Sequence, residues 1–185
     1  MGNNNTPSDQ ELIQQAIADP ALYAEVFNRY YQPLLRYVTR LGCHGDDAQD
    51  VLQDTFLSAY LNLRDYDTSL KFSSWIYRIA HNKAISFFRK QNIRPKTVTT
   101  EEQLLLMELV ADDTNISEEV DKKFLQEKVH GALDALKDKY RDPLILKFLE
   151  DKSYEEISDI LHVPIGTVGT LINRAKKKLK EILEK

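Results

Sequence analysis

Ser153-Tyr-Glu-Glu156-Ile-Ser-Asp-Ile-Leu161-His-Val-Pro164-Ile-Gly-Thr167-Val-Gly169-Thr-Leu-Ile-Asn173-Arg174-Ala-Lys-Lys-Lys178-Leu-Lys180 is the stretch whose reading decides the fold. Ser153 and Glu156 form a capping box, in which each side chain takes up a free backbone N–H of a helix start. The box opens a short helix through Leu161. His162-Val-Pro164 is a tight connector, and a long helix begins at about Ile165. Ile157, Ile160, Leu161, Val163, Val168 and Ile172 supply a small core. A short helix, a tight turn and a longer second helix describe a helix-turn-helix. Thr167, Gly169, Thr170 and Asn173 face outward near the start of the second helix, where base edges are read. Arg174, Lys176, Lys177, Lys178 and Lys180 supply charge for phosphates. A plain helical domain with a solvated lysine tail explains each feature singly but not their concurrence.

Upstream, no acidic residue lies between Asp67 and Glu101, whereas Lys71, Arg78, Lys83, Arg89, Lys90, Arg94 and Lys96 do. Phe72, Trp75, Tyr77, His81, Phe87 and Phe88 are interleaved with them. In a helix from about Phe72 to Gln91, the apolar Phe72, Ile76, Ile79, Ala80 and Phe87 share one side. Arg78, Asn82, Ser86 and Arg89 share another. Cations hold phosphates, aromatic faces stack on unpaired bases, and an amide reads a base edge. A core helix with a solvated basic face is the competing reading of this segment taken alone.

Charge then reverses. Thr97–Asp121 has no Lys or Arg but carries Glu101, Glu102, Glu108, Asp112, Asp113, Glu118, Glu119 and Asp121. Its β-branched polar start marks residues 96–117 as an acidic linker. The fold class expected is all-α. Two small helical domains, 1–95 and 118–185, flank the linker. In the first domain, the Ser8–Glu11 capping box starts a helix ending near Asp19. Asp19 with Pro20 starts another that stops at Gly42. A third, from about Gly45 to Arg64, carries a stripe of Ala48, Val51, Leu52, Thr55, Phe56, Ala59, Tyr60 and Leu63. Leu57 and Leu61 lie on its opposite face among Asp50, Gln53 and Asp54. Either another helix or a partner covers them. In the second domain a helix is expected at about 118–136, followed by one holding Leu144, Ile145, Phe148 and Leu149. Pro143 either opens the latter, with Asp142 as its cap, or kinks an earlier start.

Composition limits the function classes. The chain has 185 residues and a formal net charge of −4, so any nucleic-acid contact must come from segregated basic patches. The single cysteine, Cys43, cannot close an internal disulfide. No apolar run reaches the length of a membrane span and no signal peptide is legible, so a cytoplasmic location without membrane insertion is expected. His44, His81, His130 and His162 lie on separate elements and match no metal-ligand spacing, and no glycine-rich phosphate loop occurs. No catalytic residue, metal or cofactor is expected, and the chain is not read as an enzyme.

Three stretches together resemble the extracytoplasmic-function (ECF) group of bacterial RNA polymerase sigma factors. Asp46–Tyr60 looks like that family's polymerase-binding helix, Phe72–Asn82 like its promoter-melting helix, and Ser153–Val168 with Arg174–Leu179 like its terminal helix-turn-helix. The resemblance implies a role for each block. Asp47, Asp50, Gln53, Asp54, Leu57 and Leu61 would dock on the largest subunit of core RNA polymerase. Tyr66, Lys71, Trp75, Arg78, His81, Asn82, Ser86 and Arg89 would engage the minus-ten element of promoter DNA, with Asp65–Lys71 as the base-capturing loop. The acidic linker would thread the polymerase active-site and RNA-exit channel. Thr167, Thr170, Asn173, Arg174, Lys177 and Lys178 would bind the minus-35 element, and the second domain would also meet the second-largest subunit. An anti-sigma factor is a further possible partner. Gly169 departs from the basic residue usual in the family after Gly-Thr-Val, so direct readout there is expected to be altered. A stand-alone helix-turn-helix regulator is the alternative. It explains residues 153–180 and leaves the 72–90 segment and the linker without a use.

Overall fold

The computed structural model describes residues 7–92, 133 and 135–183. The linker 96–117 and nearly all of the helix expected at 118–136 lie outside the described residues. The described residues form helices and no strand. They are α1 (Asp9–Ala18), a 3₁₀ turn Pro20–Leu22, α2 (Tyr23–Leu41), α3 (Asp46–Leu61), a 3₁₀ turn Leu63–Asp65, α4 (Phe72–Gln91), α5 (Asp138–Leu144), a π turn Ile145–Leu149, α6 (Tyr154–Leu161) and α7 (Ile165–Leu183).

The ends of these helices follow local chemistry. Ser8 and Glu11 complete the first capping box. The Asp19 side chain accepts from the Ala21 N–H at 3.0 Å, and the chain makes a 3₁₀ turn before α2. Gly42 takes φ 114°, a left-handed setting without steric cost for glycine, and ends α2. Ser153 and Glu156 complete the second box at α6. His162 ends α6 at φ 53°.

α1, α2, α3 and α4 pack around Leu12, Ile13, Val26, Leu34, Val38, Val51, Leu52, Phe56, Ile76 and Ala80, all buried. Tyr60, placed on the α3 stripe by its spacing, is instead exposed and packs its ring edge-on to Tyr23. On α4 the buried aromatic near the C-terminal end is Phe88, with Phe87 half-buried. The C-terminal unit is built on Leu144, Ile145, Ile157, Ile160, Val168, Ile172, Ala175 and Leu179.

Pro143 lies inside α5, which starts at Asp138 with Lys137 as its cap. Of the two sequence readings of Pro143, this is the earlier start. Proline has no N–H for the helix ladder, and after Leu144 the five residues Ile145–Leu149 widen into a π turn. Asp142 is consequently no cap. It is buried and faces α4. α4 packs directly on α6, so the two units share an interface.

Candidate nucleic-acid and polymerase interface

Three surfaces stand out. The first lies on α3. Leu57 is 55% and Leu61 69% exposed, so no other helix among the described residues covers them. Asp47, Asp50, Gln53 and Asp54 surround them and are exposed. Beside this face, α2 presents Phe27 and Tyr31 against Phe56, with the Phe27 and Phe56 ring centroids 4.7 Å apart. An open hollow of about 390 Å³ there is lined by Phe27, Tyr31, Gln49, Asp50, Gln53 and Phe56. Sequence reasoning missed Phe27 and Tyr31. Their i, i+4 spacing on the outer side of α2 was the available signal.

The second surface is α4 with the loop before it. Asn82, Ser86 and Arg89 are exposed and Arg78 is half-buried, on one side of the helix. Lys71 is exposed at its start. Trp75 is only 9% exposed, in a cluster with Tyr66 and Phe72 at centroid distances of 5.2 and 5.4 Å. Its expected role on the minus-ten element and its burial are thus in tension. The cluster's evident work is to brace the loop. There the Asp67 carboxylate accepts from the Ser69 N–H at 2.9 Å, which holds its pKa below the usual value, and the Tyr66 hydroxyl donates to the Leu70 carbonyl. An open hollow of about 410 Å³ separates this loop from the start of α1 and is lined by Asp9, Gln10, Tyr66, Ser69, Lys71 and Ser73 among others.

His81 does not join the outer stripe. It lies one turn beyond Tyr77, on the side of α4 that meets the C-terminal unit. The Tyr37 hydroxyl is 2.9 Å from its Nδ1, and Asp142 Oδ2 is 3.8 Å from its Nε2. Burial, helped by the Arg141 charge, pulls the His81 pKa down to about 4. Burial also raises that of Asp142 to about 6 against the opposing pull of Arg141.

The third surface is the outer face of α7. Thr170, Asn173, Arg174, Lys177 and Lys178 are exposed and Thr167 is half-buried, on a helix whose other side is the core. The Thr170 hydroxyl donates back to the Gly166 carbonyl at 3.3 Å. A Cβ added at Gly169 would meet only Tyr154 Cε2, at 3.4 Å, an ordinary contact. Among the described residues, no cluster of His, Cys, Asp or Glu has the arrangement of a metal site, and no helix is long and apolar enough to cross a membrane.

Comparison with known proteins matches two segments of the chain. Residues 26–93 match Sigma-70 region 2, and residues 126–179 match Sigma-70, region 4. The chain is 31% identical over 169 residues to the ECF RNA polymerase sigma factor SigW of Bacillus subtilis, covering 89% of this chain and 90% of that one. The chain belongs to the ECF RNA polymerase sigma factors. It is 28% identical over 185 residues to the RNA polymerase sigma-H factor of Pseudomonas aeruginosa, covering 95% of this chain and 94% of that one.

Among solved structures, CnrH in complex with the cytosolic domain of CnrY has the same fold, with a TM-score of 0.68 at 22% identity, covering 95% of this chain and 97% of that one. The sigma factor RpoE of Bartonella quintana, in complex with the anti-sigma factor NepR, gives 0.60 at 22% identity, covering 88% and 96%. The chain is therefore a transcription initiation factor, one that directs RNA polymerase to promoter DNA. The match over 26–93 favours this over a stand-alone helix-turn-helix regulator, whose activity needs only the C-terminal motif.

Proposed function

We propose that this sigma factor works in the cytoplasm and catalyses nothing itself, its three surfaces dividing the labour of initiation. The α3 face, with Asp47, Asp50, Gln53, Asp54, Leu57 and Leu61, docks on the largest subunit of core polymerase. The α4 stripe, with Lys71, Arg78, Asn82, Ser86 and Arg89, engages the minus-ten element as it opens. Tyr66 and the hollow beside its loop receive an unstacked base. Thr167, Thr170, Asn173, Arg174, Lys177 and Lys178 hold the minus-35 element. The domains are 1–95 and 118–185, with 96–117 as the linker, and an anti-sigma factor is a fitting regulator.

The observation that carries this reading is the exposed amide of Asn82, flanked by Arg78 and Arg89 on a helix braced by the Tyr66–Phe72–Trp75 cluster. Such an amide can hydrogen-bond the Watson–Crick edge of a base only after the base has left its pair. Asn82→Ala is expected to lower transcription from duplex promoters by ten-fold or so, about 1.4 kcal/mol, and to do less on a template already opened across the minus-ten element. Equal losses on both templates would remove Asn82 from melting.

The minus-35 surface makes a separate prediction. Without a side chain at 169, phosphate contacts outweigh base contacts, so sequence preference is shallow unless DNA shape is read instead. Gly169→Arg has room for its Cβ beside Tyr154 and is expected to sharpen preference at one or two base pairs, by ~1–3 kcal/mol each. Lys177→Ala lowers affinity for all sequences alike. Selection from random DNA with the holoenzyme reads both. A sharp motif centred under Gly169 in the unmodified chain would refute the argument.

A further inference from the structure

Across the interface between the two units, Glu150 and Glu156 of the C-terminal unit meet Arg40, Tyr77 and the exposed Lys71 of the N-terminal unit. Arg40 Nη1 lies 2.6 Å from Glu150 Oε1 and also donates to the Leu149 carbonyl at 2.6 Å. The Tyr77 hydroxyl donates to the other Glu150 oxygen at 2.9 Å. The Glu150 side chain is 4% exposed and that of Arg40 12%. Lys71 Nζ is 3.6 Å from Glu156, and His81 faces Asp142. Lys152 lies over the Tyr77 ring at 4.1 Å.

In the Arg40–Glu150, Tyr77–Glu150 and Lys71–Glu156 contacts the donor comes from the N-terminal unit and the acceptor from the C-terminal unit, whereas Asp142 is held by Arg141 of its own unit. On α4, Tyr77 and His81 run one residue behind Arg78 and Asn82, so the covered strip borders the exposed stripe. A carboxylate and a phosphate offer a guanidinium, an ammonium or a hydroxyl the same pair of acceptor oxygens.

We propose that Arg40, Lys71 and Tyr77 form a binding strip for the DNA phosphate backbone, capped in the free chain by Glu150 and Glu156 of the C-terminal unit. The carboxylates stand where phosphates will, and exposed Asp151 and Glu155 add repulsion at the rim. Opening the chain exchanges one set of acceptors for another, so the donors are left unpaired in neither state. A polar interface of this kind separates more readily than an apolar one, whose burial has no substitute in the open state. This inference rests on the promoter-binding reading of α4 given above and adds Arg40 and Tyr77 to it.

Glu150→Gln in the full-length chain tests it. Two quantities are measured on the free protein: its radius of gyration by small-angle scattering, and its affinity for a short fluorescent single-stranded DNA from the non-template strand of a promoter that the holoenzyme transcribes. The variant is expected to be more expanded and to bind roughly ten-fold tighter. Adding Arg40→Ala keeps the expansion and removes most of the gain. An unchanged radius and affinity in Glu150→Gln overturns the cap, and a full gain retained in the double variant overturns the phosphate role of Arg40. Should Glu150→Gln fail to fold by circular dichroism, Tyr77→Phe removes one hydroxyl from the same contact and is judged by the radius of gyration alone, since Tyr77 is itself a proposed phosphate donor; an unchanged radius overturns the cap. If the unmodified chain fails to support transcription with core polymerase, the promoter-binding reading itself fails. If it supports transcription and Glu150→Gln is neutral, only the present inference does.

Discussion

Leu57→Asp is expected to lower affinity for core RNA polymerase by about 100-fold or more while leaving helical content and unfolding temperature unchanged. Leu57 has little packing to lose in the free chain, being 55% exposed among Asp50, Gln53 and Asp54. In the proposed docked complex its side chain would become a buried anchor. Removing that burial forfeits about 2 kcal/mol, and placing an unpaired carboxylate at the same point costs as much again or more. Together these exceed the 2.7 kcal/mol that corresponds to 100-fold. Asp50→Arg tests the same face by charge, since the acidic rim demands a basic partner surface. Phe27→Ala tests whether the neighbouring aromatic hollow belongs to the interface. A folded Leu57→Asp variant that binds core polymerase normally, in a direct competition against the unmodified chain, would take α3 out of the contact.

That α3 carries such a face was legible in part. The 3.6-residue period gave the buried stripe and left Leu57 and Leu61 over, but period alone does not say whether a neighbouring helix covers the leftover side. The helix-turn-helix was legible because its signals are local. A capping box, a connector and a core spaced on one short stretch do not depend on the rest of the chain. Tyr60 was misassigned because its ring, although on the stripe, finds Tyr23 at the edge of the core rather than inside it. The interface between the units was not legible at all. Arg40, Glu150 and Tyr77 are far apart in sequence, and each alone reads as an ordinary surface residue. Asp142 was the hardest. Next to proline it looks like a helix cap, and only the start of α5 at Asp138 carries it into the interior.

The interior position of Asp142 makes the pair it forms with Arg141 a sensitive point of the fold. Arg141 is 1% exposed. Its Nε donates to Asp142 Oδ1 at 3.1 Å, and its Nη2 lies 3.1 Å from the same oxygen and 3.2 Å from Asp138 without an aligned hydrogen bond. Replacing one partner of a buried pair strands the other, at a cost of about 3–5 kcal/mol. Arg141→Met is therefore expected to be strongly destabilising at pH 7. The loss should also depend on pH with a definite sign. Burial already raises the Asp142 pKa from 3.8 to about 6, and losing the guanidinium, which opposes this shift, raises it further. A carboxyl whose folded pKa exceeds its unfolded one contributes stability in the protonated form. That contribution is present below the unfolded pKa and is lost as pH rises through the folded one. His81 works in the opposite direction: its pKa is depressed to about 4 in the folded chain, so its contribution grows as pH rises between about 4 and 6.5. The guanidinium is also one cause of that depression, so His81 gives less of this opposing slope in the variant. In the unmodified chain the two slopes largely offset each other across this window. In Arg141→Met the Asp142 slope dominates, and the deficit relative to the unmodified chain should shrink as pH falls from 7 to 5. Urea unfolding at both pH values measures it. A deficit of equal size at pH 5 and pH 7 would mean that Asp142 stays ionised without its guanidinium, held by contacts other than the pair.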